Sequence, residues 1–293
     1  MAKFTVVTGS SSRNLAKRIA QRLDATFIDT DLRVFPDGES KITFRKNPRK
    51  SKIVVVQSTF PPVDSNLIQA LSIISKARQF SREIIAVIPY LGYARQDREF
   101  LPGEIVTIKV IANLFKAVGA SKLIVVDVHS GIALKHFRMK TKNLTAIPEL
   151  AKYFKKMNLK KPLIVSPDLG GIKRAKDFAK LMHTNSIALK KQRDRKTGQI
   201  KIITSNVDVA SRDVILIDDM ITTGGSIIKA AEFLKKQKSG KIFATCTHAL
   251  LINNAEKKIK KAGVLKIVST NTIPGKTALV DVSNLISRVV SHA

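Results

Sequence analysis

The sequence predicts an α/β protein of two domains that share one fold, each a mostly parallel sheet flanked by helices. Three observations predict it. Apolar runs of strand length alternate with helical periodicity along the whole chain. The second half repeats landmarks of the first in the same order. The apolar run 214–217 (VILI) leads through two acids into a turn of hydroxyls and glycines that opens a helix, as strand-to-helix connections in parallel sheets do. A chain of 293 residues that is 44% hydrophobic has material for two cores.

The strands are predicted at 3–8 (KFTVVT), 52–57 (KIVVVQ), 83–88 (EIIAVI), 122–128 (KLIVVDV), 162–166 (PLIVS), 213–217 (DVILI), 241–247 (KIFATCT) and 264–269 (VLKIVS). Most are near-continuous Val/Ile runs, the pattern of strands covered on both faces. Helical spacing follows at 13–23, 65–79, 107–118, 171–182 and 226–237. The repeat aligns Ala16–Ala20 (AKRIA) with Ala175–Ala179 (AKDFA), strand 53–56 and its loop with 214–217 and its turn, and 83–90 (EIIAVIPY) with 241–248 (KIFATCTH). We therefore expect domains at 1–144 and 145–279, with the last helical stretch, 280–293, packing back on the first.

One cysteine, Cys246, forms no intrachain disulfide and no metal cluster, which points to a reducing compartment. MAKFTVVTG lacks a secretory apolar segment, and the apolar runs are too short to span a bilayer. A cytoplasmic protein with no membrane partner is expected. The net charge of +30 suits phosphorylated substrates. Lysine runs such as 152–161 and 256–261 read as solvated helix faces, no aromatics interleave with them, and Trp is absent, so no specific nucleic-acid partner is expected.

The chemistry concentrates in 218–226, DDMITTGGS. Glycines let backbone N–H groups approach an anion, and the helix start adds a favourable dipole. Asp218 and Asp219 can hold ribose hydroxyls or a metal, while Thr222, Thr223, Gly224, Gly225 and Ser226 form a phosphate cradle. The first half has QSTFPPVDS there, without the acid pair or the glycines, and is expected to have lost sugar-phosphate binding.

Five further stretches carry candidates, each with a plainer reading. RVFPDGE (33–39) places Phe35, Asp37, Gly38 and Glu39 in a turn that could hold a purine or be an ordinary hairpin. PYLGYARQDR (89–98) puts Arg95, Gln96 and Asp97 after a strand, a ligand-binding position or a charged surface loop, and 98–105 reads as mobile. VDVHSG (126–131) offers His129 as a metal ligand, a base or a satisfied strand-end histidine. SPDLGGIKR (166–174) offers Asp168 as a metal or ribose ligand, or as a helix cap. In IALKKQRDR (187–195), Lys191 and Arg193 share one face of an extended segment, for a transferring phosphoryl group or as part of a basic hairpin.

Taken in order, GSSSRNLA, FPDGE, VVVQSTFPPV, PYLGYARQDR, VDVHSG, SPDLGGIKRA, the Lys-x-Arg pair and VILIDDMITTGGS resemble the ribose-phosphate diphosphokinases, the phosphoribosyl diphosphate (PRPP) synthetases. The resemblance covers nearly the whole chain. It implies two tandem phosphoribosyltransferase-like domains and Mg²⁺-dependent transfer of the diphosphoryl group of ATP to the anomeric hydroxyl of ribose 5-phosphate, giving PRPP and AMP. By the same resemblance Phe35, Asp37, Gly38 and Glu39 hold adenine, and Arg95, Gln96, Asp97 and His129 surround ATP. His129 and Asp168 are the Mg²⁺ ligands and Lys191 and Arg193 the catalytic cations. Asp218 and Asp219 face the ribose, and Thr222–Ser226 bind its phosphate. A homo-oligomer, dimer or hexamer, is implied too. The sequence departs from the pattern at Thr222, where many members carry an acid, and at Lys190, where an acid is expected. A non-catalytic regulatory relative is the alternative; it would have damaged motifs, and these are intact.

Overall fold

The computed structural model describes residues 3–48, 51–193, 200–202 and 208–292, with only the backbone of 191–193 and 200–202. The first part of the chain runs β1 (Phe4–Thr8), α1 (Arg13–Arg22), β2 (Thr26–Ile28), a hairpin of β3 (Thr30–Val34) and β4 (Ser40–Phe44), β5 (Lys52–Val56), α2 (Val63–Arg78), β6 (Ile84–Ile88), α3 (Thr107–Ala117), β7 (Lys122–Val126), α4 (Gly131–Lys135) and β8 (Lys140–Leu144). The second runs α5 (Ile147–Lys155), β9 (Leu163–Ser166), α6 (Ile172–Met182), β10 (Asn185–Ala188), β11 (Lys191–Arg193), β12 (Ile200–Ile202), β13 (Val214–Ile221), α7 (Gly225–Lys236), β14 (Ile242–Ala249), α8 (Ala255–Lys261), β15 (Val264–Thr270), β16 (Ala278–Val280) and α9 (Ser283–Ser291).

Two six-stranded parallel sheets result, ordered β2-β1-β5-β6-β7-β8 and β10-β9-β13-β14-β15-β16. The orders correspond strand for strand, so the sequence repeat is a repeat of topology. AKRIA and AKDFA are the buried stripes of matching helices: α1 buries Leu15, Ala16, Ile19 and Ala20, and α6 buries Ala175, Phe178 and Ala179. The central strands are the predicted ones. The edge strands β2, β8, β10 and β16 escape prediction because they are short or polar. β8 reads KTKNL, and its lysines blunt an exposed edge.

The chain forms two compact units, 1–145 with 271–274 and 281–293, and 146–270 with 275–280. In the first, Ile53, Val55, Ile73, Ile84 and Phe115 lie at the heart of the core; in the second, Val165, Leu216, Ile227 and Cys246 do. The crossing of 271–274 to the first unit has a visible cause: Ser58 Oγ donates to the Thr272 carbonyl at 2.6 Å. The helix α9 packs on α1, anchored by Asp281, which lies 3.2 Å from Arg18 Nη1 and accepts from Ser283 N at 2.9 Å. Among the described residues no helix is long and apolar enough to cross a membrane.

Candidate active site

In the second unit β13 outruns its neighbour. It pairs with β9 only as far as Leu216↔Val165, but with β14 as far as Ile221↔Ala249. Asp218 and Asp219 therefore stand beyond the end of β9, and Asp168 follows that strand end by two residues. This is the carboxyl edge of a parallel sheet, where α/β folds bind ligands. The Asp168 side chain does not cap the 3₁₀ turn after it, so the helix-cap reading fails there.

The acid pair is partly desolvated. Asp219 is 4% exposed, and its N–H donates to Asp218 Oδ1 at 2.9 Å. Burial pushes the Asp218 carboxyl up to about 7; the hydrogen bond and charge of Asp219 add to that, and Arg174 opposes it. Arg174 Nη1 lies 3.4 Å from Asp218 Oδ1 and 3.7 Å from Asp219 Oδ1. Arg174 was not singled out from sequence, although it sits in SPDLGGIKR, at the start of the helix that follows Asp168. Cys246, opposite Asp218 across β13 and β14, has its thiol pushed well up, by burial first and the Asp218 charge second, and stays protonated.

The cradle follows directly. Gly224 has φ +78°, and a Cβ there would stand 2.7 Å from Ile259 Cδ1, so only glycine fits. A Cβ at Gly225 would meet nothing within 4 Å, which leaves room above the start of α7. The first N–H groups of α7 have no intrahelical acceptor and carry the positive end of its dipole. Thr222 Oγ1 is buried with no hydrogen-bond partner, while the Thr222 carbonyl accepts from Ile252 N at 3.1 Å. An unsatisfied buried hydroxyl costs about 1–3 kcal/mol, and a bound phosphate oxygen would recover it.

The matching loop of the first unit is filled by its own side chains. Gln57, Ser58 and Thr59 are each at most 1% exposed. Gln57 Oε1 accepts from Ser11 N at 3.0 Å, and its Nε2 donates to Asn66 Oδ1 at 3.1 Å. Ser58 N donates to Ser12 Oγ at 2.9 Å, and Ser58 Oγ accepts from Tyr90 N at 3.1 Å. These groups spend their hydrogen bonds on one another. Neither Ser11 nor Ser12 was singled out from sequence.

The other candidates of the first unit fall in two places. Arg95–Asp97 follow β6, and His129 follows β7, its neighbour in the sheet. Arg95, Gln96 and His129 are exposed. Asp97 is 3% exposed; it accepts from Ser130 Oγ, and its carbonyl lies 2.9 Å from His136 Nε2. It thus ties the loop after β6 to the residue next to His129. The stretch 98–105 is a braced turn, in which Glu99 and Glu104 accept from Gly103 N at 2.6 Å and Phe100 N at 3.0 Å. Phe35–Glu39 form the exposed tip of the β3–β4 hairpin, closed by Phe35 N to Glu39 O at 2.8 Å, with Gly38 at φ +92° and Arg33 over the Phe35 ring at 4.9 Å. Lys191 and Arg193 lie on β11, antiparallel to β12 as a hairpin requires. Their side chains, and residues 194–199, within which the hairpin turn was expected, lie outside the described residues. His129 and Asp168 belong to different units, and among the described residues no three His, Cys, Asp or Glu side chains form a cation cage.

The chain is thus a tandem of two copies of one parallel α/β sheet, in which the turn after β13 opens α7 beside an acid pair while the matching turn of the first unit is packed with its own side chains. Residues 4–119 match the family model of the N-terminal domain of ribose phosphate pyrophosphokinase, and 181–292 match the phosphoribosyl synthetase-associated domain. The chain is 35% identical to the ribose-phosphate pyrophosphokinase of Sulfurisphaera tokodaii, over 97% of this chain and 99% of that one, and belongs to the ribose-phosphate pyrophosphokinase family. The same enzyme from Haemophilus influenzae is 34% identical over 99% of this chain and 96% of its own. The crystal structure of phosphoribosylpyrophosphate synthetase from Mycobacterium smegmatis superposes with a TM-score of 0.85 at 25% identity, covering 99% of this chain and 98% of that one.

Proposed function

We propose that the protein transfers the diphosphoryl group of ATP to the anomeric hydroxyl of ribose 5-phosphate, releasing PRPP and AMP. The observation that carries this reading is the asymmetry of the two copies. The second unit keeps a glycine-containing turn with the orphaned Thr222 hydroxyl, while the matching turn of the first is packed with its own side chains, which supports one sugar-phosphate site per chain and leaves the first unit for the nucleotide.

In this reading Thr222–Ser226 hold the 5-phosphate, and Asp218 and Asp219 accept from the ribose hydroxyls with Arg174 orienting both carboxylates. Phe35, Asp37, Gly38 and Glu39 recognise adenine, and Arg95, Gln96 and His129 bind the nucleotide. Asp97 belongs to the same nucleotide site, its carboxylate accepting from Ser130 Oγ beside His129. Lys191 and Arg193 meet the charge that builds on the transferring group, an effect worth about 3–4 kcal/mol per donor in comparable sites. Holding the hydroxyl in line with the β-phosphorus is a problem of positioning.

In this reading His129 and Asp168 would hold Mg²⁺, which takes few protein ligands and keeps waters and substrate oxygens. When bound, Mg²⁺ neutralises triphosphate charge. A homo-oligomer fits the exposed Ile105, Val110 and Leu114 on and before α3. A cytoplasmic setting fits the buried, unpaired Cys246. The test is stoichiometry: the protein with ATP, ribose 5-phosphate and Mg²⁺ should yield equal AMP and PRPP. AMP that forms equally well without ribose 5-phosphate would overturn the assignment.

A further inference from the structure

The chain carries a net charge of +30, far more than one substrate site uses. In the second unit much of it gathers at one place. Lys160 and Lys161 precede β9, Lys235 and Lys236 close α7, and Lys238 and Lys241 precede β14. All six are exposed, and among the described residues none of them is in an ion pair. They lie at the amino ends of the strands. β13 separates this rim from the cradle by its full length, about 23 Å at the usual rise.

The rim is held rigid. Asp213 is 5% exposed, and its two carboxylate oxygens accept from Lys160 N at 2.9 Å and Lys241 N at 2.8 Å. Ser211 N donates to Lys238 O at 2.9 Å, and Gly240 N to Arg212 O at 2.7 Å. A Cβ on Gly240 would stand 2.7 Å from Asp213 Oδ1, so the clamp requires glycine there. The Lys235 stem lies along Gly263, which joins the end of α7 to the turn after α8, where Lys261 is also exposed. Three loops are thus tied together at one edge of the sheet, and their lysines are exposed there. One or two lysines would satisfy the helix dipole of α7; the rim has several times that.

We infer that this rim is a docking surface for the phosphate backbone of a nucleic-acid duplex. Regularly spaced phosphates match several cations on a fixed platform, and their neutralisation releases counterions. No aromatic side chain lies among the six to stack an unpaired base, so recognition is of backbone and independent of sequence.

The experiment is fluorescence anisotropy of a labelled random-sequence RNA or DNA duplex with the full chain across a salt series. Four contacts give a slope of log K against log salt of about −3.6, or roughly a 100-fold loss between about 50 and 200 mM. Lys235→Gln/Lys236→Gln/Lys238→Gln/Lys241→Gln should remove about that slope and leave AMP formation unchanged. A count-matched variant in the first unit, Lys17→Gln/Lys76→Gln/Lys109→Gln/Lys116→Gln, should retain most of the binding. Equal losses in both variants would reduce the effect to net charge and overturn the inference. So would an absence of duplex binding at low salt, or binding to phosphatidylserine vesicles with none to the duplex.

Discussion

Arg174 Nη1 stands 3.4 Å from Asp218 Oδ1, at the outer end of β13. This contact joins the first turn of α6 to the acid pair. It also opposes the burial and the Asp219 charge that push the Asp218 proton affinity up. Arg174→Ala should shift the pH dependence of the ribose 5-phosphate KM to higher pH and raise that KM about 10-fold, the equivalent of roughly 1.4 kcal/mol. Arg174→Lys should recover only part, because a single ammonium cannot reproduce the planar fork. Steady-state kinetics between about pH 6 and 9 would check both; an unmoved profile in Arg174→Ala removes the residue from the site.

Burial, with the Asp219 carboxylate beside it, pushes Asp218 up from an ordinary 3.8 to about 7. Between these values the folded state holds a proton that the unfolded state has released. Stability therefore falls as pH rises through that window and levels off above it. Asp218→Asn abolishes this fall, so its Tm should gain on the parent from about pH 4 to about pH 7 and then run parallel. A constant Tm difference across the range would contradict the raised proton affinity.

Thr222→Val separates structure from binding. Removing an unpartnered buried hydroxyl should raise unfolding free energy by up to about 1–3 kcal/mol in the ligand-free protein. The same change should raise the ribose 5-phosphate KM severalfold and leave the ATP KM alone. Denaturant melts and kinetics measure the two effects; a loss of stability with unchanged KM would mean that the hydroxyl has a structural partner.

Ser58→Ala makes the opposite case in the filled loop. It deletes the bond to Thr272 O and the acceptor of Tyr90 N, both in a buried setting. A cost of about 1–3 kcal/mol is expected, with the ribose 5-phosphate KM unchanged. A selective rise in that KM would place substrate in the first unit.

Lys191→Ala should retain ATP binding, measured by calorimetry, and lose turnover by about 10²-fold or more. Turnover within a factor of a few of the parent would leave Arg193 alone as the cation of the transfer.

The central strands were legible because Val/Ile runs covered on both faces leave no other reading, and the repeat was legible because AKRIA and AKDFA are buried stripes. Edge strands such as KTKNL carry no such signature, since one side meets solvent. The strand, glycine turn and helix start were readable from DDMITTGGS, where only glycine tolerates the left-handed backbone at Gly224. Arg174 and Ser12 were not, because a polar residue on a helix or turn gains its meaning from what stands across from it. The partners of Asp97, Ser130 and the Arg98 guanidinium 3.8 Å away, were likewise not readable from its motif.

The return of 271–274 and α9 to the first unit makes the second unit an insertion within it. During translation α9, which covers α1, emerges only after the second unit has been made. The early half of the chain therefore waits, incompletely closed, while the later half can finish first. The apolar face of α1 therefore stays uncovered by α9 until synthesis is nearly complete.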